Sequence, residues 1–128
     1  MILGSDKMQL VVGAVIYNSD TDRFLCGKRY KYNKWEFIGG KVEEDETPEE
    51  ALRREVIEEI GCEVKVGDMV KDVQHDNIRL LTYMCDIELG KPVLYEHEAL
   101  AWIKRDELWM YDFLEADIPT VRELMEWV

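Results

Sequence analysis

The sequence predicts an α+β domain, an α/β/α sandwich around a mixed β-sheet, and three observations carry that prediction. β-rich runs recur at 8–17, 23–28, 35–38, 64–73, 79–87 and 99–103. Two segments, 48–60 and 118–127, carry helical signals. A dense turn signal between the first two runs marks a hairpin, and strands and helices mixed in this order suit a sheet with helices packed on it.

Taken in order, residues 1–7 read as a loose N-terminal end. The run 8–17 carries small residues at Gly13 and Ala14 and reads as a strand buried on both faces. Asn18-Ser19-Asp20-Thr21-Asp22 is the turn, so 23–28 returns as a hairpin partner. The stretch 29–34 is polar, basic and tyrosine-rich, hence a loop. A short apolar strand at 35–38 then stops at Gly39-Gly40. The helix at 48–60 is well punctuated: Thr47 suits the N-cap, Pro48 the first helical position, and Glu50 completes a capping box. Gly61 follows the last helical residue, where a left-handed position is commonly filled by glycine.

A chain of 128 residues is expected to form one domain, 1–128. With 47% hydrophobic and 34% charged residues, the composition is that of a folded chain. The net charge of −12 excludes a basic footprint for a nucleic-acid polymer and would be repelled by an anionic membrane surface. The apolar run 10–17 is too short to cross a bilayer, which takes ~20 residues. No charged region with a cleavage site precedes it, so a signal peptide is not expected. Cys26, Cys62 and Cys85 form no C-x-x-C pair, which argues against a disulfide framework and fits a reducing cytoplasm. With two histidines, the soft ligands are too few for a zinc site.

The chemistry concentrates between Glu43 and Glu59, where nine acidic and two basic residues give a local charge of −7. At ~100° per residue, Glu58 and Glu59 lie about 60° and 40° either side of Glu55, so the three carboxylates share one helix face. Leu52, Val56 and Ile60 form the adjacent apolar stripe that seats the helix. Like charges at this spacing repel, and a hard divalent cation such as Mg²⁺ or Mn²⁺ would relieve them. The plain alternative is a solvated acidic face. Just upstream, the Gly39-Gly40 turn can bring bare backbone close to a phosphate or metal, and Lys41 can neutralise phosphate charge.

Read together, Gly40, Glu46, Arg54-Glu55-Val56, Glu58-Glu59 and Gly61-Cys62 resemble the signature of the Nudix hydrolases, GX5EX7REUXEEXGU. All seven fixed letters match over 23 residues, with Cys62 an imperfect final U. Trp35-Glu36-Phe37-Ile38-Gly39-Gly40-Lys41 is similar to the W-E-F-P-G-G-K segment of MutT-like members, with Ile38 in place of proline. Glu96-His97-Glu98-Ala99-Leu100-Ala101-Trp102 and Ala116-Asp117-Ile118-Pro119 resemble segments of CTP pyrophosphohydrolase-type members. The likeness runs over roughly residues 8–127.

The resemblance implies the Nudix fold and a Mg²⁺-dependent pyrophosphohydrolase, with Mn²⁺ a possible substitute. It would convert a nucleoside triphosphate and water to the monophosphate and pyrophosphate, acting on cytidine, modified-pyrimidine or oxidised-purine nucleotides. It makes Glu55, Glu58 and Glu59 metal ligands, joined by the Gly39 carbonyl and by Glu96. Glu55 and Glu96 both remain open as the general base. Arg54 would orient Glu55, the alternative being a surface ion pair worth little. Glu46, Gly40 and Gly61 read as structural members of the motif. Arg29 and Lys41 are phosphate-side candidates, Arg29 alternatively a solvated side chain. Asp117 is the base-side candidate: a carboxylate accepts hydrogen bonds only, which favours an amino group and penalises the O4 acceptor of uracil or thymine. Its alternative role is the N-cap of the last helix, and both could hold. His97 reads as a loop residue.

The expected partner is a small nucleotide, with no nucleic-acid polymer and no membrane, for a cytoplasmic monomer or homodimer. Within the same class, ADP-ribose or a dinucleoside polyphosphate is an alternative substrate. Asn77 stands where ADP-ribose enzymes carry a proline, and Tyr83 comes late for the tyrosine of dinucleoside polyphosphate enzymes. From another class, a non-catalytic nucleotide or metal sensor would be expected to lose glutamates that are intact here.

Overall fold

The computed structural model describes residues 8–127, so the expected loose end at 1–7 lies outside the described residues. Strand β1 (Gln9–Asn18) runs down the middle of a mixed sheet. It pairs antiparallel with β2 (Arg23–Arg29) and β4 (Ile38–Lys41) and parallel with β6 (Ile78–Leu89). β3 (Lys34–Glu36) and β7 (Ala99–Lys104) both join β2, and β5 (Glu63–His75) closes the other edge on β6. Helix α1 (Pro48–Ile60) follows β4, and α2 (Ile118–Glu126) ends the chain after two 3₁₀ turns, Arg105–Met110 and Glu115–Asp117.

The central strand alternates between two cores, as a strand buried on both faces must. Val12, Ala14 and Ile16 pack with Leu52, Val56 and Ile60 of α1, while Val15 packs with Phe24, Phe37, Val121 and Leu124 on the α2 side. The result is the α/β/α sandwich on a mixed sheet that the segment order predicts.

Two segment readings are corrected. The 35–38 run is not one strand that stops at a Gly-Gly turn. The chain breaks near Phe37 into β3 and β4, and Gly39 and Gly40 lie inside β4, paired with Gly13 and Val12 of β1. A Cβ at residue 39 would sit 1.9 Å from the Val12 carbonyl oxygen, so the glycine serves strand approach instead of a turn. The 29–34 loop also shrinks, because Arg29 ends β2 and Lys34 begins β3.

Helix α1 spans the predicted residues, for the predicted reasons. Thr47 Oγ1 accepts from the Glu50 amide at 3.1 Å, Glu50 returns a bond to the Thr47 amide at 2.9 Å, and Gly61 ends the helix at φ 70°. Thr47→Ala removes half of this box at an exposed position. It is expected to cost ~1 kcal/mol, about 3 °C in melting temperature, with turnover unchanged within about twofold. Thermal melting beside a kinetic assay checks both parts.

Candidate active site

The α1 box builds a chain of charged contacts that starts at the loop before the helix. Arg54 holds Glu46 with two bonds, Nε to Oε2 at 2.6 Å and Nη2 to Oε1 at 2.9 Å, and Glu46 also accepts from the Glu43 amide at 2.9 Å. The Arg54 bond holds the Glu46 carboxyl down at about 2. A further bond from Arg54 Nη2 to the Lys41 carbonyl oxygen, 3.0 Å, ties the guanidinium to the end of β4. Arg54 Nη1 then reaches both Glu55, 3.1 Å, and Glu58, 3.3 Å. One guanidinium thus contacts Glu46 in the loop, the end of β4, and Glu55 and Glu58 on the helix.

Glu55 lies against the backbone of β4. A Cβ at Gly40 would stand 2.5 Å from its carboxyl carbon, so only glycine leaves room for it there. Glu58 is half-exposed, whereas the Glu59 side chain is only 2% exposed. Burial, then a hydrogen bond shared with Glu55, pushes the Glu59 carboxyl far above its ordinary range, with Arg29 pulling the other way. Among the described residues, Glu59 Oε1 is buried without a hydrogen-bond partner. Ionising a carboxylate in that position is costly unless a cation stands beside it.

Beyond Glu59, the structure gathers groups that no sequence spacing brings together. Glu36 Oε2 accepts from Arg29 Nε and lies 2.8 Å from His97 Nε2, while His97 Nε2 is 3.6 Å and Arg29 Nη2 3.7 Å from Glu59 Oε1. One ligand atom each from Glu36, Glu59 and His97 fall within 4.8 Å of one another. Glu36 carries no role in the sequence reading. His97, read there as a loop residue, is buried at the centre of this cluster.

A cleft of ≈ 240 Å³ meets this cluster at Arg29 and Glu36 and is also lined by Phe37, Gly39, Gly40, Lys41 and Asp117, among others. Arg29 and Lys41 therefore share the cleft wall with Asp117. Asp117 is buried, and burial followed by the charge of Glu36 raises its carboxyl well above the ordinary value, against a backbone hydrogen bond from Phe37. Its alternative role is corrected: Asp117 stands at the N-cap of α2 but makes no capping bond from its side chain. Glu96 is exposed on the loop between β6 and β7, where its charge supports that of Arg29. Phe37 stacks on Phe113 in the α2-side core with its ring centroid 5.6 Å away, which stiffens the cleft floor.

Among the described residues, no helix is long and apolar enough to cross a membrane. Comparison with known proteins gives the arrangement its context. Residues 7–128 match the NUDIX domain family model. The chain is 39% identical over 127 residues to the CTP pyrophosphohydrolase of Escherichia coli K12, covering 93% of each chain. It is 30% identical over 125 residues to the 8-oxo-dGTP diphosphatase of the same organism, covering 92% of this chain and 96% of the relative. A MutT structure from the Aliivibrio salmonicida and Vibrio cholerae pair superposes with a TM-score of 0.82 at 30% identity, over 94% of this chain and 98% of the other.

Proposed function

The chain belongs to the Nudix family of pyrophosphohydrolases, and on that premise we propose that it is a Mg²⁺-dependent nucleoside triphosphate pyrophosphohydrolase. It releases the monophosphate and pyrophosphate from cytidine, modified-pyrimidine or oxidised-purine nucleotides. The observation that carries this reading is the orphaned, buried Glu59 oxygen on the helix face it shares with Glu55, joined through Arg29 to a cleft whose lining includes Asp117. Relatives named for CTP and for 8-oxo-dGTP support the two base classes.

The donor set suits a hard divalent cation, because Glu55, Glu58 and Glu59 offer oxygen ligands. Together with the Gly39 carbonyl and Glu96 they would hold Mg²⁺, or Mn²⁺ in its place. When bound, such a cation offsets phosphate charge during an in-line displacement. The protein's own groups do the rest. Glu55, aimed by Arg54, takes the proton of the attacking water, with Glu96 the other carboxylate able to do so. Arg29 and Lys41 face the phosphates from the cleft wall, and Asp117 reads the base edge.

The test is an assay of the purified protein with Mg²⁺ at mildly alkaline pH against CTP, dCTP, 5-methyl-dCTP, dTTP, 8-oxo-dGTP and ADP-ribose, resolving monophosphate, pyrophosphate and phosphate. Pyrophosphate release from cytosine nucleotides ahead of dTTP is expected. A preference for 8-oxo-dGTP would keep the chemistry and make Asp117 a guanine reader. Cleavage of ADP-ribose alone would overturn the substrate class, and no turnover of any of them would leave a binding domain.

A further inference from the structure

The reaction as proposed gives no part to His97, a buried imidazole of the charged cluster. The His97 side chain is 1% exposed, yet its Nε2 sits 2.8 Å from Glu36 Oε2 and 3.6 Å from Glu59 Oε1. We propose that His97 is a positioning residue for this active site: its imidazole wedges between the Glu36 and Glu59 carboxylates and pins the loop that carries Glu96 onto β2. The inference rests on the functional reading above.

Three observations support it. First, Glu36 Oε2 lies against two nitrogens, Arg29 Nε and His97 Nε2, so the imidazole and the guanidinium fix one carboxylate together. Arg29 is thereby held toward the cleft, where a phosphate would meet it. Second, His97 Nδ1 is buried with no partner among the described residues. A proton there would be an unpaired buried donor, so the geometry favours the tautomer with its proton on Nε2, where Glu36 accepts it. Third, the ring occupies a seat that only glycine provides. A Cβ at Gly27 would meet His97 Cδ2 at 2.5 Å. One residue later the Glu98 amide donates to the Lys28 carbonyl at 2.8 Å, Lys28 Nζ stands 3.6 Å from Glu98 Oε2, and β7 begins beside β2 with Ala99 opposite Lys28. The exposed Glu96 is thus adjacent in sequence to a side chain locked into the core.

The same three ligand atoms could be mistaken for a separate metal cage. Arg29 argues otherwise, since its guanidinium already holds the Glu36 oxygen that such a cage would need. A dication would have to displace it.

Orienting partners behind a ligand set typically change metal affinity or activity ~10–100-fold when removed. The test therefore compares wild type, His97→Leu and His97→Gln by kcat, KM and Mg²⁺ binding in a calorimeter. Leucine should lower kcat and weaken Mg²⁺ binding by about tenfold or more, with KM changed less than about threefold. Glutamine, whose amide can still donate to Glu36, should recover most of both. His97→Leu with wild-type kcat and wild-type Mg²⁺ affinity would overturn the proposal, even if its melting temperature fell. Should the leucine variant not fold, long-range ¹H–¹⁵N NMR of the wild-type imidazoles decides. The Nε2–H tautomer is expected at His97, and the Nδ1–H tautomer overturns the wedge. Absence of nucleotide turnover by wild type would instead fault the functional reading, while the calorimetric and NMR results would still judge the role of His97.

Discussion

Glu59→Gln is expected to lower kcat by about a thousandfold while raising the melting temperature of the metal-free protein. The two effects come from the same oxygen. Glu59 is buried, its Oε1 has no hydrogen-bond partner, and burial with the Glu55 hydrogen bond opposes its ionisation. A carboxylate kept in that place without a cation costs folding energy, and a neutral amide of the same shape removes the cost. Relief of about 1 kcal/mol would appear as roughly 3 °C in a domain of this size. Activity moves the other way, since an amide cannot supply the charge that holds a divalent cation against phosphates, and losses of ~10²–10³ follow removal of a single group of this kind. Mg²⁺ should then raise the melting temperature of wild type by mass action and that of the variant much less. Glu58→Gln separates the two effects: its side chain is half-exposed and touches Arg54, so activity should fall with stability nearly unchanged. Near-wild-type kcat in both variants would sink the metal role of this helix face. A Glu59→Gln protein that melts lower than wild type would show that the carboxylate has a partner in solution.

The reach of sequence reasoning follows the range of the interactions involved. Helix α1 was legible to the residue because Thr47, Glu50 and Gly61 act within their own turns, and the Glu55, Glu58 and Glu59 face follows from helical period alone. Gly39-Gly40 misled because glycine pairs signal turns locally. Their use here is set by β1, which lies more than twenty residues upstream and admits no Cβ at residue 39. The cluster of Glu36 and His97 was illegible for a similar reason. The two are 61 residues apart, and only the pairing of β2 with both β3 and β7 brings them together. A trace did exist in the glycine at position 27, which sits mid-strand where a side chain would be ordinary, but it points to a partner without naming it. Fold-defining caps and periods are local, whereas the charges that organise the site are joined across the sheet.

Asp117 shows how burial changes a prediction of selectivity. As a bare carboxylate it would accept only, favouring the cytosine amino group over the thymine O4. Burial and the neighbouring Glu36 charge raise its carboxyl, so the protonated form persists to higher pH than in solution. A protonated carboxyl also donates, and a donor tolerates O4. Preference for dCTP over dTTP in kcat/KM should therefore sharpen as pH rises through the range in which the raised carboxyl loses its proton. Asp117→Asn offers both an acceptor and a donor at every pH. It is expected to reduce the dCTP preference by about tenfold, the value of one unpaired buried group, and to flatten its pH dependence. Stability supplies an independent check. The folded carboxyl titrates above the unfolded one, so below the unfolded value of ~3.9 both states are protonated and nothing is lost. As pH rises the unfolded chain ionises first, and wild-type stability declines until the folded carboxyl also loses its proton. The asparagine variant escapes that decline, so its melting temperature should pull ahead of wild type as pH rises above the unfolded value of ~3.9. An unchanged base preference in the variant, alongside this widening gap in melting temperature, would make Asp117 a buried carboxyl of the fold and move base recognition to other residues of the cleft.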